Sequence, residues 1–287
     1  MILRMVRGYQ GEFAGLNSPQ IAVDCRRVDL LRCAVTVGAP IGFSWASIRQ
    51  YGLPNVLYAA IAENAFAILQ NIDPRYHGLR RSAIFETHLS SKKSSVSELV
   101  GLAVAKFNAE QLLDIVDLIH VETLKKQGAI TFLPGSKMEP DLAGKDSLGR
   151  WHIFEAKGRS TRSALDPALR RAKNQTASVD LIEGAVPTTR SASATFLGTN
   201  EIYSVLEDPT DGSGRSITIN EDRFVQAYYA PYFITLRAFP ELTRSERFID
   251  GVSLNTIEIP IQRPDSDYGS FTLGLASDVV RAYESMQ

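Results

Sequence analysis

The stretch Glu139–Ser160, EPDLAGKDSLGRWHIFEAKGRS, decides how the chain is read. Two short extended runs flank residues 145–150, KDSLGR, where Asp146 and Gly149 suit a tight reversal. The first run carries Pro140 and Asp141, with Glu139 just before them. The second, WHIFEAKG, carries Glu155 and Lys157 separated by Ala156. Side chains alternate across a strand, so Trp151, Ile153, Glu155 and Lys157 share one face, and His152, Phe154 and Ala156 share the other. Both faces begin apolar, which predicts a central strand covered on both sides. Polar groups appear only at its C-terminal end, where sheet-borne sites commonly open.

Closing this hairpin brings Asp141 alongside Glu155 and Lys157, so that two carboxylates and one ammonium converge. Hard divalent cations such as Mg²⁺ take oxygen ligands and keep several waters, so two carboxylates are a sufficient protein share. A lysine beside such a cation neutralises charge that develops on a phosphoryl group under attack by a metal-activated water. Plainer readings stand beside this one. Asp141 is also a reasonable strand-end aspartate bonded to the turn, and Glu155 with Lys157 a solvated charge pair. The apolar flanks of the strand weigh against the second. Glu139 shares a face with Asp141 and lies further from the convergence point. His152 points away and reads as a packing histidine, while His88 and His120 have no spacing that suggests a metal.

Outward from the hairpin, the pattern towards the N-terminus is helical. SELVGLAVAKF places Leu99, Leu102, Ala103 and Phe107 on one face, and EQLLDIVDLIHVETLKKQ reads as a second helix ending at Gly128. A short strand, AITFLPG, follows. The Ser- and Lys-rich LSSKKSSVSEL reads as a solvated connection, with Ser94 or Ser95 as a cap and Glu98 in the first helical turn. Further back, GLPNVLYAAIAENAFAILQNI is a helix with Leu57, Ile61, Ala65 and Ile68 on one side and Pro54 in its first turn. Tyr76, His77, Arg80 and Arg81 read as an exposed loop. IAVDCRRVDLLRCAVTVGAP holds either two strands or a strand and a short helix. Towards the C-terminus come a helix from Pro167 that is basic on one side, the strand SASATFLG, a loop over 207–216, a strand in VSLNTIEIPIQ, and a final strand and helix in SFTLGLASDVVRAYESM.

The 287 residues are enough to bury a sizeable core, and the net charge of −1 excludes a global field that attracts nucleic acid. Any such binding needs a local patch. One is present just after the hairpin: Lys157, Arg159, Arg162, Arg170, Arg171 and Lys173 are opposed only by Asp166. A solvated basic helix face would look the same; the position beside two carboxylates favours phosphate contact. Cys25 and Cys33 are too few for a zinc site or disulfide framework and read as reduced thiols. No run is long and apolar enough for a membrane span or signal core, which predicts a cytoplasmic protein with no membrane partner.

From about Val96 to Gly198 the order helix, strand, strand, strand, helix, strand resembles the PD-(D/E)xK nuclease superfamily, carried by Pro140-Asp141 and Glu155-Ala156-Lys157. The resemblance covers roughly a third of the chain. It implies an α/β fold with a restriction-endonuclease-like core, a mixed central sheet flanked by helices in the order αβββαβ, with N- and C-terminal extensions. The corresponding division is 1–90, a mostly helical segment; 91–205, the nuclease core; and 206–287, an α+β extension packed on that core. The resemblance further implies Asp141, Glu155 and Lys157 as catalytic residues, with Asp141, Glu155 and Glu98 as ligands of Mg²⁺ or Mn²⁺. A glutamate in a first helical turn is equally favoured by the helix dipole alone. Arg171, Lys173 and Gln175 on the following helix, with Arg159, Arg162 and Arg170, are the implied nucleic-acid contacts. The implied activity is hydrolysis of DNA to a 5′ phosphate and 3′ hydroxyl, by a homodimer or with a partner protein, in restriction, phage defence or a mobile element. RNA is the alternative substrate, and a catalytically inactive nucleic-acid-binding or scaffold subunit the alternative role.

Overall fold

The computed structural model of the protein describes residues 2–7, 21–37, 53–75, 78–115, 117–122, 130–132, 139–177, 181–182, 187–207, 216–219, 229, 232–235, 244–249, 251–261 and 269–285. In chain order the elements are β1 (Ile2–Arg7), β2 (Ile21–Val23), α1 (Arg27–Thr36), α2 (Leu53–Asn71), β3 (Ile72–Arg75), β4 (Gly78–Arg81), α3 (Ala83–Thr87), α4 (Ser90–Leu113), β5 (Asp117–His120), β6 (Ile130–Phe132), β7 (Leu142–Lys145), β8 (Trp151–Arg159), α5 (Leu165–Ala177), β9 (Leu181–Ile182), β10 (Thr189–Leu197), β11 (Ile202–Glu207), β12 (Ser216–Ile219), β13 (Arg244–Ile249), β14 (Val252–Ile261), β15 (Gly269–Ala276) and α6 (Ser277–Ser285).

The architecture is mixed α/β. A mixed sheet of seven strands runs β2-β1-β11-β10-β8-β7-β5, five of them from the stretch between Asp117 and Glu207. The hairpin pairs Leu142 with Phe154 and Lys145 with Trp151, antiparallel. On its other side β8 runs parallel to β10, with Ala192 beside Glu155 and Ala194 beside Lys157. As its apolar start predicts, β8 is central and covered on both faces. Ala105, Ala109 and Leu113 of α4 pack on Phe154 and Ala156. Leu165, Leu169 and Ala172 of α5 pack on Ala192 and Ala194, on the opposite face. Glu155 and Lys157 therefore point to the α5 side.

Three expectations are corrected here. The segment 110–127 is not one helix: α4 ends at Leu113, Asp114 turns left-handed with φ 54°, and Asp117–His120 becomes the edge strand β5. Leu118 and Ile119 are apolar under either period, and pairing with β7 decides in favour of the strand. The run around Ile130–Phe132 is a strand, but it joins β12 and β9 in a separate sheet. LSSKKSSVSEL is no connection either. It forms the first turns of α4, whose N-cap is Leu89, and Ser95 and Ser97 bond back to the carbonyls of Ser91 and Lys93.

The flanking segments build onto this frame. The strand-plus-helix alternative holds for residues 21–36, as β2 and α1. Leu57, Ile61, Ala65 and Ile68 are all buried along α2. Leu30, Cys33, Ile68 and Phe85 share a core with Val100 and Phe107 of α4 and with Leu197 and Ile202 of the sheet. Cys25 and Cys33 are free, buried thiols. The C-terminal sheet β13-β14-β15 puts Ile257, Leu273 and Leu275 against Val35, Ile61 and Ala65, so it packs on α1 and α2. Arg80 and Arg81 lie on β4 instead of a loop, while Tyr76 and His77 fall outside the described residues. Among the described residues no helix is long and apolar enough to cross a membrane.

One contact fixes how close α4 comes to β8. A Cβ on Gly158 would fall 1.6 Å from the Ser97 carbonyl oxygen, and one on Gly101 would fall 2.6 Å from the Gly158 nitrogen. The two backbones touch, and no side chain fits between them. Overpacking in a filled interior costs about 1–3 kcal/mol and occasionally more. Gly158→Ala is expected to lower stability by about 3 kcal/mol or more, because the opposing atom is backbone that cannot rotate away. The midpoint of urea denaturation measures it; an unchanged midpoint would show that the helix stands off the strand.

Candidate active site

The hairpin brings Asp141, Glu155 and Lys157 together. Asp141 occupies a bend one residue before β7, and its backbone N–H donates to Glu155 Oε2 at 2.8 Å. In return, the Ala156 N–H donates to Asp141 Oδ2 at 3.1 Å. The two strands are thus clasped by the two acids they carry. The Lys157 ammonium donates to Asp141 Oδ2 at 3.5 Å and to Glu155 Oε1 in a closer contact. The Asp141 carbonyl also accepts from the Val121 N–H at 2.9 Å, which ties the site to the end of β5.

Burial differs sharply among the three. Glu155 is 0% exposed, whereas the side chains of Lys157 and Asp141 are 21% and 31% exposed. Desolvation, followed by the neighbouring Asp141 charge, pushes the Glu155 carboxyl up to about 8 despite Lys157. Burial alone would lower the Lys157 value, but Asp141 and Glu155 together raise it and keep the amine charged. His120, at the end of β5, is pulled down to about 4 by burial against the opposing pull of the Asp141 charge, so it is neutral at pH 7. No sequence spacing pointed to His120; only the pairing of His120 with Leu142 brings it near Asp141.

Lys157 also lines a cleft of about 550 Å³. The α4 wall supplies Ser94, Ser97 and Glu98; the end of β8 supplies Arg159 and Ser160; the α5 wall supplies Arg171 and Gln175. Glu98 lies in the third turn of α4, because the helix starts at Ser90, so the helix dipole no longer accounts for it. Its place is set by the Gly101–Gly158 contact, which holds this part of α4 against the strand end.

The remaining basic residues divide. Arg159 and Arg171 line the cleft with Gln175. Lys173 instead pairs with Glu207 at 3.0 Å, and Arg162 lies over the Tyr203 ring at 5.7 Å. Arg170 is exposed and is not among the cleft-lining residues. His152 is a packing residue as expected: it is fully buried, with Nδ1 3.0 Å from Thr189 Oγ1 and Nε2 3.3 Å from Asp146 Oδ2. Arg81 was not visible as part of the site. Its guanidinium donates to the carbonyls of Ser160 at 2.9 Å and Leu197 at 3.2 Å, so the N-terminal segment anchors the ends of β8 and β10 beside the cleft.

Among the described residues, no three His, Cys, Asp or Glu side chains form a group ready to hold a metal ion. Asp141 and Glu155 form a pair, and Glu98 is not joined to them in such a group. The donor chemistry of the pair still fits Mg²⁺ or Mn²⁺, two hard carboxylates whose remaining shell would be water, although only Asp141 is partly exposed and neither acid is among the cleft-lining residues. The Lys157 ammonium bridges both acids, which marks the point between them as one that holds positive charge.

The raised Glu155 value makes stability depend on pH. Folded Glu155 holds a proton up to about 8, while the ordinary carboxyl releases it near 4.5. Between these values the native state binds the extra proton, so this group's contribution to stability falls as pH rises through the window. Glu155→Gln, which cannot ionise, is expected to match the wild type near pH 4.5 and to exceed it by about 1–3 kcal/mol above pH 8. Chemical denaturation across that range measures the divergence, and parallel curves would contradict it.

No family model matches this chain, and neither a curated protein nor a solved structure matches it.

Proposed function

We propose that the protein is a metal-dependent nuclease that hydrolyses DNA phosphodiester bonds. The observation that carries the reading is Lys157. Its ammonium touches both clasped carboxylates, and the residue lines a cleft whose walls bear Arg159, Arg171 and Gln175. With β6 and β9 set aside because they pair in a separate sheet, the elements on and against the central sheet run α4-β5-β7-β8-α5-β10, helix, strand, strand, strand, helix, strand, which supports a restriction-endonuclease-like core.

Asp141 and Glu155 would hold the cation. Bound Mg²⁺ supplies Lewis acidity at the phosphoryl oxygen and a water acidified enough to attack. The protein's own groups do the remainder. Glu155 gives up its proton and offers Oε oxygens from a position that the Asp141 N–H has already fixed. Lys157, kept charged by both acids, answers the negative charge that builds on the phosphoryl oxygens. Arg159 and Arg171 neutralise flanking phosphates and set the strand in the cleft. Glu98 lines the same cleft from α4 without joining the two acids in one group. Restriction, phage defence and mobile-element cleavage all suit a nuclease of this kind, and two-strand cutting suits a homodimer or a partner protein.

A second reading, a nucleic-acid-binding subunit without activity, draws on the absence of a three-ligand group among the described residues. One experiment separates them. Purified protein is incubated with supercoiled plasmid and Mg²⁺ or Mn²⁺, with EDTA as control. The wild type is expected to nick or linearise the plasmid, and EDTA to stop it. Lys157→Ala and Glu155→Gln are each expected to cut about 10²-fold more slowly or worse while still unfolding cooperatively. Because Glu155 must release its proton to hold the cation, activity at limiting metal is expected to rise with pH, and excess metal to shift that rise to lower pH. Tight plasmid binding with no cleavage in any metal would instead select the second reading.

A further inference from the structure

The cleft's shape bears on which form of nucleic acid reaches Lys157. A volume of about 550 Å³ matches pockets of about 300–1,000 Å³ that enclose a small ligand, and so has room for about one or two nucleotides. Its walls cannot part without disrupting the core. On one side the backbone of α4 touches β8 at Gly101 and Gly158. On the other, α5 is seated through Leu165, Leu169 and Ala172 on the opposite face of the same sheet. The strand end between them is held by Arg81 through the Ser160 carbonyl. Duplex DNA is met by elements that enter its grooves or by broad surfaces that bury about 1,000–2,500 Å² of protein. A slot between two anchored helices does neither, because the double helix is far wider than one or two nucleotides.

We infer that the cleft admits one nucleic-acid strand and excludes the intact duplex, so that the substrate is single-stranded, or a flap, end or opened segment such as negative supercoiling creates in a plasmid. This rests on the nuclease reading of Lys157, and it adds the strandedness of the substrate. The chemistry of the lining says how the strand is held. Arg159, Arg171 and Lys157 supply positive charge against the single carboxylate of Glu98, and Ser94, Ser97 and Gln175 supply neutral polar groups; no aromatic side chain lines the cleft among the described residues. Strand-binding grooves that read bases by stacking need aromatic platforms. Here the contacts fall on phosphate, so binding is indifferent to sequence and steeply dependent on salt.

The test uses the full chain and fluorescence anisotropy, with Ca²⁺ replacing Mg²⁺ to hold cleavage back. The probes are a labelled 20-residue DNA strand, the same strand as RNA, and the DNA duplex. One or both single strands are expected to bind at least about tenfold more tightly than the duplex, and their relative affinity identifies the sugar. Arg171→Ala is expected to reduce the slope of log K against log salt by about 0.7 for the single strand, the share of one phosphate contact. Arg281→Ala, on α6 outside the cleft, should leave both affinity and slope unchanged. Duplex binding equal to or tighter than that of both single strands overturns the inference, while Mg²⁺-dependent plasmid cleavage would keep the nuclease reading. If no probe binds and no metal supports cleavage, both are overturned. An unchanged slope in Arg171→Ala overturns the placement of the strand in the cleft.

Discussion

The site depends on one buried carboxylate. Glu155 lies on an interior strand of a seven-stranded sheet with no exposed surface, flanked along its strand by the buried Phe154 and Ala156. An isolated ionised carboxylate in such a place is strongly disfavoured, and ordinary cores avoid it. Glu155 accordingly holds its proton up to about 8, and two groups meet its oxygens, the Asp141 N–H and the Lys157 ammonium, both from the clasp between β7 and β8. A hydrophobic residue would pack there with less opposition. The strand end thus keeps an arrangement that is unfavourable for folding, as sites organised for chemistry commonly do.

Around that carboxylate the fold supplies rigidity from outside the hairpin. The Gly101–Gly158 contact brings α4 in so far that its third turn borders the cleft. Arg81 reaches from β4 to two carbonyls at the strand ends, and is itself paired with Glu86 at 2.5 Å. The N-terminal helices connect further: Arg32 and Lys106 enclose Glu110, with Lys106 fully buried, so α1 and α4 share an ionic contact beneath the sheet. The first ninety residues are therefore structural neighbours of the site, although they supply none of its proposed chemistry.

What the sequence revealed follows the strength of its periodicity. In β8, period-two alternation and two distinct faces made the strand and the shared direction of Glu155 and Lys157 readable, and the turn at Asp146 and Gly149 fixed the partner strand. In α2 the four apolar positions recur at helical spacing, and all four are buried. Between Glu110 and Gly128 the signal is ambiguous, because LLDIVDLI, residues 112–119, is apolar everywhere except Asp114 and Asp117 and so fits either period. Only the pairing of β5 with β7 resolves it. The start of α4 was misplaced because serines and lysines mark loops by composition, whereas here they cover the exposed side of a helix held by packing further along. Arg81, His120 and the glycine contact depend on residues that are distant in sequence, so no local pattern announces them.

The same distinction explains why the basic residues after Lys157 divide. All five belong to one short segment, and by composition they form one patch. Their roles are assigned by which side of a helix or strand each occupies. Arg170 and Arg171 are adjacent in sequence but about 100° apart around α5, and only Arg171 lines the cleft. Lys173 is drawn to Glu207 at the end of β11, which offsets its charge locally. Arg162 sits over Tyr203 and contributes as much through packing as through charge. A count of charges therefore overstates the local field at the site. The positive charge that matters is the smaller set at the strand end, where Arg159 and Arg171 flank an amine already held between two acids.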